Sequence, residues 1–247
     1  MKLKNKTVVM TGGASGIGRA TVLKLAAEGA RVLLCDINEE GANETIAGAS
    51  GGLVEFVPVD LADLASVDTC ASECLSRTGD KIDILINGAG WDRGIPFKQN
   101  TDDFMDKVIA INLAGPIRLT HRIFRAMTEN GGGKIVSVAS DAGRVGSSGE
   151  VVYSAAKGGI IALTKALARE GARYAINANC VCPGPTDTPL FHTNPDRLKE
   201  ALVKAIPFKR LARPDDIAGA ILYFAEPASD YVTGQVMSVS GGLTMVG

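Results

Sequence analysis

Long apolar runs are missing from this chain. None reaches the roughly 18 residues that would suggest a membrane span, and the opening stretch MKLKNKTVVMTGG has too short an apolar core for a signal peptide. An excess of one charge is missing too, with 26 Lys and Arg set against 27 Asp and Glu. No field of one sign therefore draws the chain to nucleic acid or to an anionic membrane. Histidine is nearly absent, at two residues, and the five cysteines are an odd number without paired ligand spacing. Cys70 and Cys74 lie one helical turn apart, and Cys180 and Cys182 alternate along a strand, but no second Cys or His pair accompanies either. Zinc is not expected, nor any other metal. Free, buried thiols in a reducing cytoplasm are the expectation instead. What remains, 46% hydrophobic and 21% charged residues, suits a soluble globular core.

Short apolar runs alternate with helix-forming stretches along the whole length. Strands are expected at Thr7–Met10, Arg31–Asp36, Leu53–Val59, Ile82–Ile86, Lys134–Ala139, Ile176–Val181 and Gln235–Val239. Helices are expected at Arg19–Glu28, Asn38–Ala47, Ala62–Arg77, Val151–Gly171 and Pro214–Ala225. A longer one would start from the cap Thr101 and run to about Asn130. This rhythm predicts an α/β fold: one domain over residues 1–247, with a doubly wound sheet of about seven parallel strands and helices on both faces. The segment from Pro183 to Pro207 breaks the rhythm. It holds five of the ten prolines and a polar helical piece, Pro195 to Ala205. An irregular insertion of this length reads as a binding loop, a substrate lid at about 184–210.

Three groups of residues carry chemistry. In TGGASGIG, Gly12, Gly16 and Gly18 follow a strand and open a helix, where glycines permit a tight turn and close approach to a pyrophosphate. The spacing is G-x-x-x-G-x-G, not G-x-G-x-x-G. Asp36 ends the second strand; its carboxylate suits ribose hydroxyls and repels a 2′-phosphate, which favours NAD over NADP. Its alternative role is to cap the next helix. Third, Tyr153 and Lys157 share a helix face at i and i+4, thirteen residues after Ser140. An ammonium beside a phenol is expected to lower its pKa. Ser140 would hold a substrate oxygen against the Tyr hydroxyl.

TGGASGIG, NGAG at Asn87, Ser140, Tyr153-Ser-Ala-Ala-Lys157 and the Pro-Gly at Pro183 together resemble the short-chain dehydrogenase/reductase family over nearly the whole chain. The resemblance implies a Rossmann-like sheet and a homotetramer. It implies that Gly12, Ser15, Gly16, Ile17 and Gly18 line the pyrophosphate, that Asp36 and Ile37 meet the adenosine, and that Asp60 with Leu61 meets adenine. Asn87 and Ala89 would sit beside the cofactor at the end of the fourth strand, and Pro183, Thr186 and Thr188 would contact the nicotinamide end. Tyr153 would be the general acid/base, Ser140 the binder of substrate oxygen and Lys157 the holder of the nicotinamide ribose. Asn112 would help hold a water near that lysine. Two departures stand out: Gly88 replaces a usual Asn, at the expected loss of one hydrogen bond, and Ser240 replaces an Asp.

Within the family, GAGWD at Gly88, SDAGRVGSSGE at Ser140, VCPGPTDT at Val181 and SVSGGLTM at Ser238 resemble the type that oxidises 2-hydroxycyclohexanecarboxyl-CoA. That implies a small-molecule substrate, a cyclic hydroxyacyl-CoA or related secondary alcohol. Trp91, Arg93, Ala142, Arg144, Val145, Pro189, Leu190 and Phe191 would form its wall. Trp91, Arg144 and Phe191 are the foremost substrate contacts, with Ser140 and Tyr153. His192 lies in the lid, where it reads as a solvated side chain, and Lys204, Lys209 and Arg210 suit either a CoA phosphate or a charged surface helix. The rivals are an NADPH-dependent 3-oxoacyl-carrier-protein reductase, a sugar or polyol dehydrogenase and, from another class, a protein that senses NADH without turnover.

Overall fold

A computed structural model describes residues 1–193 and 196–245. The chain begins with β1 (Thr7–Thr11), α1 (Gly16–Ala27), β2 (Arg31–Asp36), α2 (Glu39–Gly48) and β3 (Val54–Pro58). Next come α3 (Leu64–Thr78), β4 (Ile84–Asn87), α4 (Asp102–Ile109), α5 (Gly115–Glu129) and β5 (Gly133–Val138). The second half holds α6 (Ala142–Val145), α7 (Val151–Gly171), β6 (Ile176–Pro183), α8 (Pro189–His192), α9 (Asp196–Ala205), α10 (Pro214–Ala225) and β7 (Val236–Val239).

The strands form one parallel sheet in the order β3-β2-β1-β4-β5-β6-β7. Its strands are nearly continuous apolar runs because both faces are covered. Side chains alternate across the sheet: Val8 and Met10 of β1 enter the core with α1 and α10, whereas Val9 enters the core beneath α3 and α5. The order reverses between β1 and β4, and a crevice opens there at the strands' carboxyl ends, where ligands of open α/β sheets bind.

Local chemistry sets the helix ends. Asn38, Asp63 and Thr101 accept hydrogen bonds from the backbone N–H groups of Gly41, Ala65 and Phe104. The cap of α2 is thus Asn38, not Asp36. Helix α1 starts at Gly16 rather than Arg19, because the glycine turn itself supplies the helix's first residues. The rod expected from Thr101 is interrupted: residues Ala110–Ala114 form a π turn between α4 and α5, which caps and apolar spacing do not announce. Helix α9 occupies most of the polar piece expected in the insertion; Pro195 lies outside the described residues.

Helix α7 and the turn after it, Val151–Tyr174, are long and apolar enough by length and composition to cross a membrane, a stretch that scanning for an unbroken apolar run overlooks. Its apolar face packs on β6 and α4, and Lys157 is buried within it. The five cysteines are free and buried. Cys35 of β2 joins Cys70 and Cys74 of α3, with all three sulfurs within 4.8 Å of one another. Spacing along the chain could not show that grouping, since Cys35 comes from a different element.

Candidate active site

A cleft of about 870 Å³ runs across the strand ends. Asp36, Ile37, Asp60 and Leu61 line it together with Gly12, Ser15, Gly16, Ile17 and Gly18. Ser140, Tyr153 and Lys157 line the same cleft, as do Trp91, Leu190 and Phe191.

The glycine turn is built by close approach. A Cβ on Gly12, whose φ is +78°, would lie 2.6 Å from the Cα of Ala89, and one on Gly18 would lie 1.7 Å from the carbonyl oxygen of Gly12. Ser15 occupies the cap position of α1 in extended conformation without a side-chain cap bond. The first N–H groups of the helix therefore remain available to an anion. Thr188 packs against this turn, 3.1 Å from where a Gly16 Cβ would sit.

Asp36 ties the turn to β2. Its carboxylate accepts from the backbone N–H groups of Ala14 and Asn38, both at 3.0 Å. Arg19 donates to the carbonyls of Ala14 and Gly41, to Thr45 and to Glu44. Asp60 accepts from Ala62 N–H at 2.8 Å, Leu61 is buried, and Ile37 is 72% exposed over the cleft. Asn87 donates to Thr120 at 2.9 Å, yet its buried Oδ1 has no partner. A buried acceptor left open beside a glycine cradle fits a ligand that brings hydroxyl donors, as a dinucleotide does. Gly88 fills its place well: a Cβ there would lie 2.7 Å from the carbonyl oxygen of Thr11, whose hydroxyl accepts from the N–H groups of Gly88 and Ala89. Ser240 accepts from Thr244 N–H and lies 3.1 Å from the hydroxyl of Ser238, which donates to buried Asp141.

Tyr153 sits in the first turn of α7, and Lys157 lies one turn on, 3% exposed, donating to the carbonyl of Val138 at 2.9 Å. The ammonium lies 5.6 Å from the centre of the Tyr153 ring. The net shift of the phenol runs opposite to the lowering expected from this lysine. Burial pushes the phenol above its ordinary value, the charges of Glu150 and Asp92 push the same way, and a hydrogen bond from the Ser140 hydroxyl opposes them. Burial also brings Lys157 down to about 8. The lysine is held by the Val138 carbonyl, its ammonium 5.6 Å from the centre of the ring.

Asn112 is fully buried in the π turn. It donates to the carbonyls of Trp91 and Val108 and accepts from Trp91 N–H. A Cβ on Gly90 would lie 3.2 Å from Asn112 Oδ1 and 3.3 Å from Lys157 Nζ, so these three groups converge. Gly90→Ala is expected to displace the flexible lysine end rather than the fold. Stability should change by less than about 1 kcal/mol while turnover drops about ten-fold, as thermal unfolding and initial rates would show.

The other expected residues fall as follows. Pro183 ends β6 at the cleft, Thr186 bridges to Ala212, and Thr188 caps α8 by accepting from Phe191 N–H. The ring of Trp91 meets Phe104 at 5.7 Å and carries the Lys107 ammonium 4.5 Å above it. Phe191 is buried against the cleft. Among the described residues, α6 lines the cleft through Ala142 and Val145, not Arg144, and Arg93 does not line it either. His192 is exposed and bonded to Asp187, Arg210 pairs with Asp216, and Lys209 donates to the Lys204 carbonyl. Asp92 and Glu150, which end the GAGWD and SDAGRVGSSGE stretches, line the cleft, as do Lys107, Leu198 and Leu202, which had not been singled out. The first two adjoin recognised features, Trp91 and the start of α7, and position alone could have suggested them.

Known proteins share this architecture. A family profile described as enoyl-(acyl carrier protein) reductase matches residues 12–244. Subunit BbsD of the (2S)-[(R)-hydroxy(phenyl)methyl]succinyl-CoA dehydrogenase of Thauera aromatica is 36% identical, covering 99% of each chain. The 3-oxoacyl-[acyl-carrier-protein] reductase FabG of Thermotoga maritima is 35% identical over 99% of this chain and 100% of its own. The crystal structure of levodione reductase superposes with a TM-score of 0.92 at 32% identity, covering 97% of this chain and 98% of that one. Sequence, length and sheet agree end to end: the chain belongs to the short-chain dehydrogenase/reductase family and is an oxidoreductase acting on alcohol or ketone groups.

Proposed function

We propose that this protein interconverts a secondary alcohol and a ketone with NAD, the alcohol being a cyclic hydroxyacyl-CoA or related hydroxy compound. The observation that carries this reading is the single cleft joining the Asp36 carboxylate to Ser140 and Tyr153. Gly12, Ser15, Gly16, Ile17 and Gly18 would hold the pyrophosphate, and Asp36 and Ile37 the adenosine. Asp60 and Leu61 would meet the adenine. Asn87, Ala89, Lys157, Pro183, Thr186 and Thr188 would hold the nicotinamide half. The nicotinamide, when bound, supplies the hydride chemistry.

In oxidation, Ser140 donates a hydrogen bond to the substrate oxygen and Tyr153 Oη takes its proton; in reduction Tyr153 returns it. Lys157, fixed by Val138, keeps the floor of the site positive. Asn112 holds the Trp91 backbone and faces the lysine across Gly90, a position suited to a water that passes the proton onward. The hydrophobic wall of Trp91, Leu190 and Phe191 suits a ring or acyl chain. The Thauera relative, named for a hydroxyacyl-CoA reaction, supports the CoA ester. Assembly as a homotetramer and residence in the cytoplasm complete the reading; free, buried thiols support a reducing compartment.

The Thermotoga relative favours a second reading, reduction of a 3-oxoacyl carrier protein. Asp36 distinguishes the two cofactors, since a 2′-phosphate would meet its negative charge. Initial rates with NAD and NADP, on a panel of cyclic hydroxyacyl-CoA esters, free hydroxy acids, polyols and 3-hydroxyacyl thioesters, test both. A preference for NAD of at least about ten-fold, with a cyclic ester as best substrate, is expected. Preference for NADP with an acyl-carrier thioester would replace the first reading by the second.

A further inference from the structure

Three thiols that no step of the proposed reaction uses meet in the core between β2 and α3. Cys35 is fixed in the sheet, paired in register with Thr11 of β1 and Val57 of β3. Cys70 and Cys74 lie one turn apart on α3 and so present their sulfurs on one helix face. The Sγ atoms of Cys35 and Cys74 are 3.8 Å apart, and all three sulfurs lie within 4.8 Å of one another. Sulfur atoms bonded to one small central atom stand at about that separation. The chain's other close pair of thiols, Cys180 and Cys182 at 4.0 Å, has two members, not three.

The surroundings restrict what three sulfurs could hold. All three cysteines are fully buried, in the core cluster that contains Val57, Val67, Ala71 and Ile82. Among the described residues, no further His, Cys, Asp or Glu joins the group as a fourth donor. The charged side chains next to the cysteines on α3, Glu73 and Arg77, pair with each other. Three thiolates around Zn²⁺ would leave one negative charge and an open fourth position, and around Cu⁺ two negative charges. An apolar core penalises both. A trivalent metalloid bonded to three sulfurs is neutral and needs no fourth ligand. Soft sulfur donors suit such a centre.

We propose that Cys35, Cys70 and Cys74 form a binding site for trivalent arsenic, taken up as neutral arsenous acid. Three As–O and three S–H bonds break, three As–S bonds form, and the hydroxides leave with the thiol protons as three waters. Arsenic remains trivalent, and no oxidant or reductant takes part. Entry requires local opening of α3 or of the cleft, where Cys35 is one of the lining residues. None of the three thiols is assigned to proton transfer or to the cofactor, so the site stands independently of the reading of the cleft.

The test incubates the reduced full-length protein with sodium arsenite and reads native mass spectra and arsenic X-ray absorption. One arsenic per chain is expected, with a mass gain of one arsenic less three hydrogens and three sulfur neighbours. Cys35→Ala, Cys70→Ala and Cys74→Ala should each raise the dissociation constant at least about ten-fold, because each removes one of three linked bonds. The double variant Cys180→Ala/Cys182→Ala should bind arsenic as the wild type does. Saturating arsenite should raise the wild-type melting temperature, since a site assembled by folding binds the native state better than the unfolded chain. Zinc chloride in the same assay should bind at least about ten-fold more weakly than arsenite, the neutral complex being the favoured one. Circular dichroism identifies any single variant that fails to fold, and the remaining variants and the wild-type absorption spectrum then decide. Absence of arsenic from the folded wild type overturns the proposal, as do two sulfur neighbours instead of three. Undiminished uptake by the folded single variants, loss of uptake in the Cys180/Cys182 variant, a fall in melting temperature or tighter binding of zinc would each overturn it too.

Discussion

Tyr153→Phe is expected to lower NAD-linked turnover by roughly 10²–10⁴-fold, the range that positioned acid/base catalysis supplies, while NADH affinity changes less than about two-fold. The phenyl ring keeps its packing in the first turn of α7 and the ring above Lys157. Only the oxygen that exchanges a proton with the substrate is lost. Fluorescence titration with NADH and initial rates on one preparation would separate the two effects. Residual turnover above about a tenth of wild type would remove Tyr153 from the proton transfer. The same residue sets the sign of the pH response. Oxidation needs the phenolate; burial and the Glu150 and Asp92 charges raise the phenol above its ordinary value, and burial places Lys157 at about 8. Oxidative kcat/KM should therefore keep climbing with pH beyond about 10, with a break near 8 reporting loss of the Lys157 charge, and reductive kcat/KM, which needs the protonated phenol, should fall only above the higher pH.

Gly18→Ala is expected to abolish useful cofactor binding, with NADH affinity down at least about 100-fold through misplacement of the turn. A Cβ there would stand 1.7 Å from the Gly12 carbonyl oxygen and 2.6 Å from its carbon. Both are backbone atoms, so no side-chain end can swing aside, and the turn or α1 must move. Overpacking of this kind costs about 1–3 kcal/mol, which for a chain of this size lowers the melting temperature by several degrees. Gly219→Ala is the matched control. That glycine lies within α10 with nothing inside 4 Å of its Cβ position, so alanine should stabilise by about 0.4–1 kcal/mol. Wild-type NADH affinity in Gly18→Ala would show that the turn does not cradle the pyrophosphate.

Strand and helix order was legible because each element carries its own period and punctuation. TVVM, RVLLCD and KIVSVA are buried runs bounded by glycine or acid, and Asn38, Asp63 and Thr101 cap the helices that follow them. The π turn at Ala110–Ala114 was not legible, since its residues suit an uninterrupted helix and only the placement of Asn112 against Trp91 reveals its purpose. The spacing of Tyr153 and Lys157 put them on one face, but it could not say that the lysine would turn to Val138. Arg144 looked as available to a substrate as Val145; the short helix α6 brings only the latter to the cleft among the described residues.

The sequence by itself determined the fold, the glycine turn, the acid at Asp36 and the Ser140, Tyr153 and Lys157 group. These depend on neighbours in the chain, on helix and strand periods and on residues whose chemistry shows in their type. Tertiary structure alone decided which charges act on the reacting centre. Asp92 comes from the β4–α4 connection and meets Tyr153 only because the sheet brings the ends of β4 and β5 side by side, whereas Glu150 occupies the cap position of the helix that carries Tyr153. The same holds for the lysine's preference for a carbonyl and for the three cysteines gathered between β2 and α3. A charge acts through space, and its strength depends on burial; neither distance nor burial between segments far apart in the chain can be read before the sheet is assembled.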